Sequence, residues 1–256
     1  MRNIDVPTWS NDGKKVYHSG RPVRGADPKT FEVLLGRYAR DVRSVFFSGT
    51  RATKIDRATF RVLNANFGVD FSGAYFVVTL IRDADPRTFR VLDSSLATGP
   101  LGCFLQAGYA ADRKSVWFAS GNGIYRINTA DAKSFVSLGN RFGMDRDRVY
   151  YEHSMLPKAD RTTWRHWRGL LSADKDSIFF TNKRVQGVDR TSIWLLAADD
   201  CFADRRQIYC GAKPVTRGYY LEHRLKYRED ACAFEREWIP TGRLLERIRD
   251  EFPHEV

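Results

Sequence analysis

Tyr38-Ala39-Arg40-Asp41-Val42-Arg43-Ser44-Val45-Phe46-Phe47-Ser48-Gly49-Thr50-Arg51-Ala52-Thr53-Lys54-Ile55-Asp56-Arg57-Ala58-Thr59-Phe60 is one turn of a pattern that fills most of this chain. An apolar residue stands three positions before Asp41, and a β-branched and aromatic cluster stands four to six positions after it. Such clusters suit a pleated, half-buried surface, and the Asp-x-x-x between them is turn chemistry, so Tyr38 to Phe47 predicts a β-hairpin. Ser48-Gly49 turns the chain again into a weaker third strand near Ala52. Asp56 then reads as an N-cap that accepts an early amide, and Phe60 and Leu63 sit three apart, on one face of about one helical turn.

Working outward, the same anchor recurs at Asp12, Asp70, Asp112, Asp145, Asp174 and Asp204, with successive spacings of 29, 29, 42, 33, 29 and 30 residues. A fixed period of this size marks a repeat architecture, in which each unit buries its apolar face only against its neighbours. A second aspartate follows its anchor by 15 residues at Asp27, Asp56, Asp85, Asp160 and Asp189, and by 19 at Asp131. The expectation is a mainly β array of about seven three-stranded repeats, each followed by a short helical turn, as an open superhelix or a propeller-like ring. It occupies residues 1–218. Residues 219–256 are charged and helix-like: Thr241 could cap a helix with Leu244, Leu245, Ile248 and Phe252 on one stripe, a C-terminal helical cap over the last open sheet edge.

The pattern resembles the DKNYY repeat family of bacterial proteins, whose consensus runs roughly Y-A-x-D-x-x-x-V-Y-Y-x-G-x-x-I-x-G-A-D-x-x-T-F-x-x-L. Tyr38-Ala39-Arg40-Asp41 through Leu63 fits it, as do Tyr109-Ala110-Ala111-Asp112 to Phe118 and Gly25-Ala26-Asp27-Pro28-Lys29-Thr30-Phe31. The resemblance covers roughly residues 9 to 218. It implies the architecture and no catalytic motif, and family members occur in bacterial toxin and immunity settings.

With 43% hydrophobic and 13% aromatic residues, the chain can bury a sizeable core as one continuous array. No stretch approaches the roughly 20 apolar residues of a membrane span, and Met1 to Trp9 lacks the apolar core of a secretory signal, so no membrane and a cytoplasmic location are expected. The net charge of +11 is spread as +6, +4 and +1 over residues 1–100, 101–200 and 201–256. Diffuse basicity suits long-range steering of an acidic protein partner. No nucleic-acid-reading motif accompanies it, and the aromatics fall at strand-core spacing, so nucleic acid is not the expected partner.

Enzyme readings find little support. His18, His153, His166, His223 and His254 lie in no zinc or nucleophile context. Thirteen aspartates are accounted for as anchors or caps, including Asp41, Asp56, Asp112 and Asp174, and Phe60 stands for the core position they frame. Asp145-Arg146-Asp147 lacks the glycine and glutamate of a calcium loop, so neither metal nor cofactor is expected. Cys201 and Cys210 replace an aromatic pair in the last repeat as two close thiols across the hairpin; in a reducing cytoplasm they are expected to stay small core residues, with a disulfide between them as the alternative.

Function is sought where the array breaks its rule. An insertion at residues 94–102 carries Leu96 and Leu101, a longer hairpin carries Asn122, and the fifth repeat replaces its Phe and Leu with Trp164-Arg165-His166-Trp167-Arg168. Insertions in repeat proteins fall on loops of one face, and Trp and Arg are enriched at binding hot spots; the competing reading puts both tryptophans in the core. The expectation is a non-enzymatic scaffold, an immunity protein that binds and neutralises a cognate secreted toxin, for example a type VI secretion effector. The alternative is a propeller-like hydrolase with clustered carboxylates.

Overall fold

The computed structural model describes residues 9–93, 107–196, 198 and 200–222, and the backbone alone of 97–98, 104–105, 227–229 and 236–238. The predicted hairpins form at all seven anchors. In each, the residue three before the aspartate lies directly opposite the residue six after it: Trp9 faces His18, Tyr38 faces Phe47, Phe67 faces Phe76, Tyr109 faces Phe118, Phe142 faces Tyr151, Leu171 faces Phe180 and Cys201 faces Cys210. Tyr38 and Phe47 meet edge-on with ring centroids 4.8 Å apart, one of the favoured aromatic geometries.

The anchor carboxylate builds the turn. In all seven repeats its Oδ1 accepts the amides two and three residues on, at 2.6–2.9 Å. Its Oδ2 reaches the preceding repeat and accepts the amide of the second aspartate there: Asp27 to Asp41, Asp56 to Asp70, Asp85 to Asp112, Asp160 to Asp174 and Asp189 to Asp204, at 2.6–2.9 Å. A hydroxyl completes the join, because Thr30, Thr59, Thr88, Thr163 and Ser192 each accept the amide that follows the next anchor. Each anchor therefore folds its own hairpin, and Asp41, Asp70, Asp112, Asp174 and Asp204 also clasp the repeat before them.

The helical turn expected after each second aspartate is replaced by a tight turn and a short strand. Asp56 holds the amide and hydroxyl of Thr59, as a cap should, but the chain then extends. Arg61–Val62 pairs with Phe67–Val69 of the next hairpin. A single helical turn fixes several dihedrals for one hydrogen bond, whereas the open edge of the next hairpin offers ladder bonds at once. The expected three-stranded repeats thus become antiparallel four-stranded sheets, each taking its first strand from the preceding repeat; the first sheet alone has three strands. Only Arg190–Ser192 forms a 3-10 turn at such a site.

The chain divides into two compact units, one formed by residues 1–97 and 105–137, the other by 98–104 and 138–256. In the first, apolar clusters alternate with sheets: Phe31 packs toward Phe46, Phe60 against Tyr38, and Phe89 between Phe67 and Trp117. Phe60 needs Gly68 beneath it, because a Cβ there would lie 2.5 Å from its ring. In the second unit Phe142, Trp164 and Phe179 share one cluster, Leu171, Phe202 and Tyr209 the next, and Cys201 and Tyr220 the last.

At the C-terminal end one expectation is corrected and another falls outside the described residues. Cys201 and Cys210 form a disulfide with Cα atoms 4.2 Å apart; directly opposed positions of a hairpin bring the sulfurs within bonding reach. The apolar place over the last hairpin is filled by Tyr220, fully buried on the one-turn helix Arg217–Tyr220 that Thr216 caps. The expected helix at 241–256 lies outside the described residues, and what is described beyond Glu222 is the strand pair Tyr227–Glu229 and Arg236–Trp238. No helix among the described residues is long and apolar enough to cross a membrane.

Candidate functional site

The carboxylates are committed to the frame. Asp41, Asp70, Asp112, Asp145, Asp174 and Asp204 are buried beneath their own turns, and Tyr75, Tyr150 and Tyr209 donate a further hydrogen bond to the Oδ2 of Asp70, Asp145 and Asp204. Burial raises the affinity of Asp70 for a proton, but the Asp56 amide, the Ser72 hydroxyl and amide and the Tyr75 hydroxyl outweigh it and hold the carboxyl below its ordinary value. No three His, Cys, Asp or Glu side chains among the described residues gather in a way that could hold a metal ion.

The tryptophan-rich segment is mostly structural. Trp164, 4% exposed, sits in the core 5.3 Å from Phe142, in the position Phe60 and Phe89 hold elsewhere. Trp167 is half-buried against the Phe202 cluster. Arg168 is a strut: its guanidinium donates to the backbone carbonyls of Leu196 and Ala198. His166 bonds the Gly169 carbonyl and lies beside Phe142. Arg165 alone of the five is exposed, and its guanidinium folds back on the Trp164 carbonyl. The segment therefore offers a partner one arginine rather than a cluster, because the three residues after Arg165 in the strand Arg165–Arg168 are all half-buried. Leu96 and Leu101 lie outside the described residues.

Asn122 is placed differently. It stands exposed on the long hairpin of the fourth sheet, its carbonyl accepting the Tyr125 hydroxyl at 2.9 Å, and it borders an open cleft of about 620 Å³ within the first unit. The cleft lies between Thr79–Leu80, the edge of the third sheet, and Gly123–Arg126, the edge of the fourth. Its floor is apolar, with Phe76, Leu80, Trp117 and Ile124, and its rim carries Arg82, Asp83 and Arg126. Arg82 and Arg126 are exposed, and among the described residues neither guanidinium has a carboxylate within ion-pair distance. Val77, on the cleft wall, holds φ at 59°, a left-handed conformation that a β-branched residue adopts only under strain. Ser19, Ser48, Glu152, Thr181 and Gly211 hold the same left-handed turn position in other repeats.

Leu80, Arg82 and Arg126 escaped the sequence reading, since the cleft exists only once two sheets stack. The one local signal was Val77-Val78, which stands where Ser19-Gly20 and Ser48-Gly49 make ordinary turns.

Fold and site together define a β-repeat scaffold whose acidic residues hold the frame and whose open surface is apolar with a basic rim. The sequence profile of the DKNYY family matches residues 9–183. The chain belongs to the DKNYY family. No curated protein and no solved structure matches it.

Proposed function

We propose that this protein is a non-enzymatic binding scaffold, an immunity protein that neutralises a cognate secreted bacterial toxin, such as a type VI secretion effector, by direct binding. The observation that carries the reading is the cleft, an open surface with two uncommitted guanidiniums at the place where the array departs from its own repeat. The commitment of the anchor carboxylates to turns and clasps weighs against the hydrolase alternative, whose chemistry needs two of them facing a substrate. The Cys201–Cys210 bond supports action in an oxidising compartment such as a bacterial periplasm over the cytoplasm. The test is growth rescue in a sensitive host, co-expressing the chain with each secreted protein encoded beside its gene. One of them should kill alone and be harmless with the chain present; killing that the chain never relieves overturns the reading.

A further inference from the structure

We propose that the cleft between the third and fourth sheets takes up an extended acidic segment of a protein partner, which adds as a strand to the edge Gly123–Arg126 and lays its carboxylates against Arg82 and Arg126. The proposal rests on the binding-scaffold reading only in supposing that the partner is a protein.

The edge is available in hydrogen-bonding terms. The amide of Ile127 donates to the Val116 carbonyl at 2.8 Å, and Trp117 lies opposite Arg126. Hydrogen-bonded and non-hydrogen-bonded pairs alternate along an antiparallel ladder, so the amides and carbonyls of Ile124 and Arg126 point away from the sheet. The same holds for Leu80 across the cleft, since Ile81 bonds Ala74 and Leu80 lies opposite Tyr75. Natural proteins blunt such edges with proline or clustered charge, and this array does so elsewhere: Pro22 and Pro214 stand in the outer strands of the first and last sheets, and Lys183-Arg184 in that of the sixth. Gly123–Arg126 is the longest of these outer strands, at four residues, and has neither device.

The chemistry of the occupant follows from the lining. Ile124 and Arg126 stand two apart, and Trp117 lies opposite Arg126, so all three turn to one face; an added strand would present both its apolar and its acidic side chains on that face, the apolar ones against Leu80, Trp117 and Ile124 and the acidic ones against the two guanidiniums, with Asp83 the one carboxylate on the rim. Guanidiniums suit carboxylates because their fork matches two oxygens.

The test titrates isotope-labelled full-length protein with a short capped peptide in which phenylalanine and glutamate take turns at every second position, with threonine between them. Amide shifts should centre on Leu80, Ile124 and Arg126, and Arg82→Glu with Arg126→Glu should weaken binding at least tenfold (about 1.4 kcal/mol). Methylating alternate peptide nitrogens should abolish binding while keeping every charge. Shifts centred elsewhere, equal binding of a lysine-for-glutamate peptide, or full binding of the methylated one would overturn the proposal. Both arginines are exposed, so folding should survive, and Arg82→Ala with Arg126→Ala provides a milder check. A toxin neutralised equally by the double variant would remove the cleft from the interface and leave the immunity reading standing. Failed growth rescue with intact peptide binding would do the reverse.

Discussion

At the scale of a residue, the two aspartates of each repeat look alike in sequence and differ in what depends on them. Asp41 is buried and accepts three backbone amides, from Arg43, Ser44 and Asp27. Asp56 is half-buried and satisfies one amide and one hydroxyl, both of Thr59. An orphaned buried donor costs about 1–3 kcal/mol, so Asp41→Ala should destabilise by at least about 3 kcal/mol, against about 1 for Asp56→Ala as a lost cap. Phe60→Ala should cost about 3–5 kcal/mol, as a buried aromatic truncation over a glycine that leaves no side chain to collapse into the space. Denaturant unfolding measures all three; equal losses for the two aspartates would contradict the clasp. The aspartate anchors and the aromatic pairs were legible because both act within ten residues of chain. Arg168 was not, since its acceptors at Leu196 and Ala198 lie 28 and 30 residues on and no local spacing announces them.

At the scale of an element, the seventh hairpin exchanges a ring pair for a covalent bond. The Cys201–Cys210 bridge spans nine residues, and chain-entropy arguments give a loop of that length about 2–3 kcal/mol. A reductant should therefore lower the unfolding midpoint of the native protein, and it should leave that of Cys201→Ala with Cys210→Ala, already lower, where it is. A midpoint indifferent to reductant in both would show the bridge to be thermodynamically idle. The misread element is the segment after each second aspartate. Phe60 and Leu63 do have helical spacing, but the partner that decides the matter, Phe67–Val69, belongs to the next repeat, and such non-local pairing leaves no trace in the local period.

At the scale of the whole molecule, stability in a repeat array is close to a sum of units and the joins between neighbours, and some of the carboxyls in its turns and joins are held below their ordinary pKa. Asp70 has its pKa lowered in the fold, as do the more exposed Asp12, Asp85, Asp160 and Asp189, each through hydrogen bonds from neighbouring amides or hydroxyls. A carboxyl whose folded pKa is depressed binds a proton more readily in the unfolded chain. Its contribution is therefore complete above the unfolded value, roughly 3.9, and is lost as pH falls through the folded values. The thermal midpoint should stay level from pH 7 to about 5 and fall steeply below about 4; a midpoint unmoved at pH 3 would contradict the lowered pKa values of these carboxyls.

The clasp also sets what evolution can change in this chain. Between a second aspartate and the anchor that receives its amide there are 14 or 15 residues at four joins but 27 between Asp85 and Asp112, and the bond at that join is still 2.9 Å. The scaffold keeps its register by where the clasps close, and it is indifferent to how much chain is looped out between them. Such a chain can gain or lose whole segments at that slot without re-registering a single hairpin, so sequences that share the frame can differ in length there.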